Sequence, residues 1–154
     1  ITLHRRYGTG NQVLQRGQKI SREIPLNSTF HLLQELSMRH NLHSLSIFTD
    51  APEQFLKYKL PDNYSADWDN VKGVTNAYLN IKPQSFDVFK DLNLDLKIHR
   101  GGNPLHAILG MGRAETMIIS RSSFGYISAI LCNTKNVFIP RDFWHPPLAG
   151  WTVY

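Results

Sequence analysis

Residues 117–132 read MIISRSSFGYISAILC. A short apolar run, Met117-Ile118-Ile119, ends in the polar group Ser120-Arg121-Ser122-Ser123. A second apolar run follows with helical spacing. The stretch is therefore a buried strand that turns directly into a helix. A chain that repeats this join builds βαβ units around a parallel sheet.

The flanks carry the same alternation. Ile1-Thr2-Leu3 reads as the end of a buried strand, followed by a polar stretch with Gly8, Gly10 and Gly17 that reads as a loop. Asn27 or Ser28 is an N-cap for a helix carrying Phe30, Leu32, Leu33 and Leu36, to about Asn41. Leu45-Ser46-Ile47-Phe48 is a strand ending at Thr49-Asp50, and Pro52 opens a short helix through Leu56. Residues 60–72 read as a loop and 74–81 as a strand. Phe86 and Phe89 give 85–92 helical spacing, and Ile98-His99 is extended. Asn103-Pro104 is an N-cap and N1 pair for a helix with Leu105, Ile108 and Leu109. A strand at 116–119, a helix at 123–132 and the strand Val137-Phe138-Ile139 follow. The tail is rich in proline and aromatic residues: Phe143, Trp144, His145, Pro146, Pro147. The predicted fold class is α/β: a Rossmann-like open, mainly parallel sheet with helices on both faces, in one domain over residues 1–154.

The bulk numbers narrow the class. A length of 154 residues suffices for one domain with a core, and 42% apolar with 19% charged residues is ordinary for a soluble globular chain. No apolar run nears the roughly 20 residues that span a bilayer. No signal-peptide pattern is visible. The chain opens on Ile1 in a strand pattern without Met, which suggests a fragment of something longer. The single cysteine, Cys132, excludes an internal disulfide framework and a multi-cysteine zinc site, and its place on an apolar helix face suits core packing. Sequons at Asn27 and Asn63 fit a secretory lumen and also arise by chance. The net charge is +5, with basic residues dispersed along the chain. That pattern favours one small anionic site over a nucleic-acid track, and no nucleic-acid partner is expected.

Ligands of open parallel sheets bind beyond the carboxyl ends of the strands. Three segments occupy such ends: His4-Arg5-Arg6-Tyr7-Gly8, Thr49-Asp50, and residues 120–124. Ser122 and Ser123 open a helix whose free N–H groups favour an anion, although capping is the more frequent role for such serines. An arginine after a buried strand can grip phosphate with forked donors. Successive strand residues face opposite ways, so one arginine is expected in the site, and Arg6 shares a side with His4. Gly8 would let the backbone approach a ligand. Asp50 is open to three roles: binding a ribose hydroxyl, acting as a base, or capping the next helix. His31, His40 and His43 read as surface residues, while His99 and His145 flank turns. No spacing of acidic residues or histidines commits to a metal.

These residues resemble a known group. ITLHRRYGTGN at 1–11 is similar to the His-x-Arg-x-Gly strand and loop of the fucosyltransferase superfamily, whose members include α-1,2-, α-1,6- and protein O-fucosyltransferases. LSIFTDAPEQF at 45–55 resembles the strand that follows in the α-1,2 group, and AETMIISRSSFGYISAILC at 114–132 resembles its late strand–Ser-Ser-Phe-Ser–helix motif. The order matches from Ile1 to about Trp144. This chain departs from the pattern at Tyr7, Thr9, Glu115 and Gly125, where the group usually has Arg, Asp, Asp and Ser.

The resemblance implies the nucleotide-sugar-binding half of a GT-B-like fold, with GDP-fucose as donor and a glycan or protein as acceptor. Transfer would be inverting and independent of a metal or other cofactor. Arg6 would hold the β-phosphate. His4, Gly8, Ser122, Ser123 and Phe124 would line the donor site, and Asp50 is the candidate base. An N-terminal half would supply most of the acceptor site. The compartment would be the Golgi or secretory lumen in a eukaryote and the cytoplasm in a bacterium. The alternative from a different class is a non-catalytic Rossmann-like module that binds a nucleotide or sugar.

Overall fold

The computed structural model describes residues 1–5, 12–15, 18–21, 24, 26–40, 42–49, 86–100 and 103–154. The helix expected from Pro52, the loop at 60–72, the strand at 74–81 and the glycine pair at 101–102 lie outside them. The described elements, in chain order, begin with the strands β1 (Thr2–Arg5), β2 (Gln12–Gln15) and β3 (Gln18–Ser21), then helix α1 (Leu26–His40) and strand β4 (Ser44–Thr49). A 3-10 helix (Phe86–Leu92), β5 (Asp95–Arg100), α2 (Pro104–Gly112) and β6 (Thr116–Ile118) follow. The chain closes with α3 (Ser123–Leu131), β7 (Asn136–Ile139) and β8 (Thr152–Val153).

Six strands form one sheet in the order β5-β4-β1-β6-β7-β8, and every pairing in it is parallel. The order is that of a Rossmann-like doubly wound sheet, with the topological switch between β1 and β6. Leu3 lies opposite Ile47 on one side and Ile118 on the other, so register is set where the strands are most buried. β2 and β3 form a separate antiparallel pair with Gln15 opposite Gln18. The loop expected over this stretch is thus in part a hairpin. Its strands are only four residues each and mostly polar, so they carry little period-2 signal.

Alternation along the strands divides the core in two. Leu3, Leu45, Ile47 and Ile118 face α1 and the 3-10 helix, where they pack with Leu33, Leu36, Phe86 and Phe89. Phe48, Met117, Ile119, Val137 and Ile139 face the other way and pack with Met111 of α2 and Ala129 of α3. Helices therefore cover both faces, as an all-parallel sheet requires. α1 begins at Leu26, so Asn27 and Ser28 lie within its first turn rather than at its cap.

The other helix ends follow local chemistry. Asn103 caps α2, its side chain accepting from the Leu105 N–H at 2.9 Å, with Pro104 in the first turn. α3 ends with Asn133 at φ 49°, its N–H donating to Ile130 O while the Thr134 N–H donates to Ala129 O. That is a Schellman closure with asparagine in the left-handed position. α2 and α3 meet closely at Gly112, where a Cβ would overlap the Cys132 side chain. Cys132 is half-buried there, its Sγ 3.4 Å from Ile108 O.

One expectation needs correction. Leu105 and Leu109 are 58% and 53% exposed, so the apolar face read for α2 is turned outward in large part and Met111 anchors the helix instead. Phe143 and Trp144 are half-buried in a ring cluster with Tyr126, His145 and Trp151. No described helix is long and apolar enough to cross a membrane.

Leu33→Ala should destabilise the chain by about 2–5 kcal/mol, because Leu33 is fully buried between α1 and the sheet. Leu109→Ala should change stability by about 0.5 kcal/mol or less. Urea unfolding of both variants checks the contrast.

Candidate functional site

β1 and β6 lie side by side, and α1 and α3, the helices that come next after them in the described chain, pack in the separate cores on the two sides of the sheet. The crevice beyond such a pair is the ligand position in open α/β sheets. It brings the His4-Arg5 strand end and the 120–124 turn together from opposite ends of the sequence. The contact is direct: Ser120 Oγ and His4 Nδ1 are 3.0 Å apart, with both side chains buried.

The His4 ring packs on the first turn of α3. Its centroid is 5.6 Å from that of Phe124. A Cβ at Gly125 would stand 2.8 Å from His4 Nδ1 and 3.3 Å from Ile119 Cβ. Glycine is what allows helix and imidazole to approach this closely. Close packing at 125 therefore leaves no room for a side chain there unless its neighbours shift.

Arg5 goes to the other face. Its guanidinium is buried and donates to Ile24 O at 2.8 Å, just before α1. Tyr154 closes the same region: its hydroxyl donates to Ile119 O at 3.3 Å, and its own carbonyl accepts from the Arg141 N–H. Burial pushes the Tyr154 phenol well above its ordinary value, opposed by the charges of Arg5 and Arg121 and by a hydrogen bond with Thr29. Arg5 lies on the face that strand alternation assigns it. Arg5 is held by structure, and Arg6, the expected phosphate ligand, lies outside the described residues. So do Gly8 and Asp50.

The serines also divide. Ser122 occupies the N-cap position of α3 with φ −146° and ψ 126°, yet its hydroxyl makes no capping hydrogen bond. Its N–H turns back to Ser120 O at 2.7 Å. The capping role expected for this serine is not the one it has. Ser123 Oγ is 3.1 Å from His145 Nε2 and accepts from Trp144 Nε1 at 3.4 Å. The tail is held there by the Tyr126 hydroxyl donating to Pro146 O at 2.9 Å and by Arg121 donating to Arg141 O at 3.3 Å. The sequence reading marked the tail as aromatic but did not bring it to Ser123. A single strand-to-strand connection without periodicity carries no signal of where it crosses.

The other histidines stand apart from this crevice. His31, His40 and His43 are exposed, as read, and His99 stacks on Phe48 at 4.5 Å. Among the described residues, no three His, Cys, Asp or Glu side chains come together as a cation site. What the crevice offers is a buried imidazole, a helix N-terminus and a short turn of hydroxyls. That set can donate hydrogen bonds to an anion.

No family model, curated protein or solved structure matches the chain.

The raised Tyr154 pKa has a definite pH consequence. The folded state holds the phenolic proton more tightly than the unfolded state does. The stabilisation is complete below the ordinary value of 10.0 and is lost as pH rises beyond it. Thermal unfolding between pH 8 and pH 11.5 should show a steep alkaline fall in Tm. Tyr154→Phe should flatten that fall.

Proposed function

We propose that this domain binds a nucleotide-diphosphate sugar at the β1/β6 switch point, and that it is the donor half of a fucosyltransferase-like glycosyltransferase. The reading takes GDP-fucose as the favoured donor. One observation carries it. The two motifs that resemble the superfamily's donor site, 116 residues apart, share a hydrogen bond between Ser120 and His4 at the switch of the sheet.

In this reading the α3 N-terminus and Arg6 receive the diphosphate. An acceptor hydroxyl attacks the anomeric carbon from the face opposite the leaving group. The new C–O bond forms as the bond to the phosphate oxygen breaks, and the diphosphate departs with the electron pair. The acceptor proton passes to a base, for which Asp50 is the candidate. Charge grows on the leaving phosphate, where preorganised N–H donors and a guanidinium stabilise it most. The acceptor is a glycan or protein, held largely by a further half of the enzyme.

A second reading has its own observation. Ser123 already binds His145 and Trp144, which suits a Rossmann-like module that kept its crevice and does not catalyse transfer.

Calorimetric titration with GDP, UDP and ADP tests the proposal. GDP should bind selectively, and Arg6→Ala should weaken it about tenfold or more. GDP-fucose turnover by a chain that binds GDP supports the transferase, while binding without hydrolysis or transfer supports the module. A folded chain that binds none of the three nucleotides overturns both.

A further inference from the structure

We propose that the outer face of α2 and α3 is a two-fold interface on which a second copy of this chain docks. The inference is independent of the nucleotide reading of the crevice. Both helices pack on the same side of the sheet, α2 through Met111 and α3 through Ala129. They touch where Gly112 meets Cys132, whose Sγ donates to Ile108 O. Their sides away from the sheet therefore point the same way. On α2 that side carries Leu105 and Leu109, about one turn apart and both more than half exposed. On α3 it carries Ile127, Ile130 and Leu131, which are 49%, 44% and 67% exposed. Five large aliphatic side chains on adjacent helices form a patch of roughly 400 Å², a size at which exposed apolar surface is commonly an interaction site.

Charge selects the occupant. Neither α2 nor α3 contains an Asp, Glu, Lys or Arg. A charged partner would leave its own charges unpaired against this face. Helices that lie on an anionic bilayer carry Lys and Arg beside the apolar stripe, and these two do not. A two-fold contact sets a surface against itself, so any charge near the axis meets its own sign. The chain carries +5 with its basic residues dispersed, and a second copy is tolerated best where those residues are missing. The α2–α3 face meets that condition. Its side-chain rows also suit the contact. Leu105 with Leu109, and Ile127 with Leu131, are i, i+4 rows, the ridges that interdigitate when helices cross at about −50°. Twice the patch plus a polar rim comes to about 1,000 Å², the lower limit of a specific interface, so the dimer should be weak, with a Kd on the order of 10–100 μM.

Sedimentation velocity of the chain between about 5 and 500 μM tests the proposal. The mass should rise from one chain to two across that range and stop there. Leu109→Glu and Leu131→Glu should each weaken association about tenfold or more, with the circular dichroism of the wild type. Met38→Glu, which puts the same charge on an exposed apolar position of α1, should leave association unchanged. Added sodium chloride should leave the dimer intact or strengthen it, because the face is uncharged and salt screens the repulsion between copies. One readout needs no variant: dilution should shift the methyl resonances of Ile127 and Ile130 and leave that of the fully buried Ile47 in place. A folded chain that stays monomeric to the top of the range overturns the proposal, and its capture by phosphatidylcholine vesicles would assign the face to lipid instead. A dimer that both glutamates leave intact, a dimer that salt dissociates, or growth beyond two chains overturns it as well. Should the glutamate variants fail to fold, methyl shifts of Ile127 and Ile130 that ignore dilution overturn it on their own.

Discussion

β1 has no solvent face. All four of its residues are buried, and three of them, Thr2, His4 and Arg5, are polar. A polar group removed from water costs free energy unless a partner meets it. Each of the three is met by a different part of the fold. Thr2 donates toward Met111 O at the end of α2, His4 meets Ser120 beyond β6, and Arg5 donates to Ile24 O before α1. The central strand thereby ties both helical layers and the switch-point turn to one backbone. A one-residue slip of β1 would send His4 to the α1 face and Arg5 to the α3 face, away from these partners.

The same alternation organises the crevice. His4 and Arg5 are neighbours in sequence and lie on opposite sides of the sheet. The arginine next to the imidazole is therefore a structural cation that donates to the Ile24 carbonyl and lies near enough to Tyr154 for its charge to act there. Its charge is not spent for nothing there. It partly offsets the burial of the Tyr154 phenol, while that residue's hydroxyl reaches Ile119 O at the end of β6. The β1 and β6 ends are thus braced from both faces, by the imidazole on one and by the phenol on the other.

Much of this was legible in the sequence, for reasons that can be stated residue by residue. The α/β class followed from the 117–132 join, and α3 ends at the predicted place because Asn133 tolerates a left-handed backbone. Asn103 and Pro104 start α2 because capping is local chemistry. The outward turn of Leu105 and Leu109 was not legible, because periodicity shows that a helix has an apolar face but not what covers it. The Ser120–His4 bond and the approach of His145 to Ser123 were not legible either. Both depend on which strands are neighbours, and sequence spacing does not encode that. The strand-end rule singled out both partners of the first bond without pairing them. It offered no means of finding the second.

The three serines of the turn are each committed differently, and that sets what a ligand must do. Ser120 belongs to β1 through its hydrogen bond with His4. Ser122 stands at the helix cap with its N–H turned to Ser120, which holds the turn in shape. Ser123 belongs to the tail through His145 and Trp144. An anion at the first turn of α3 can take the helix N–H groups without disturbing any of these. To gain the Ser123 hydroxyl as well, it must compete with His145, whose ring also packs against Tyr126 and Phe143. In the proposed donor-site reading, the N–H groups are then the permanent part of the crevice. The Ser123 hydroxyl is the conditional part, and its availability is governed by a tail far from it in sequence.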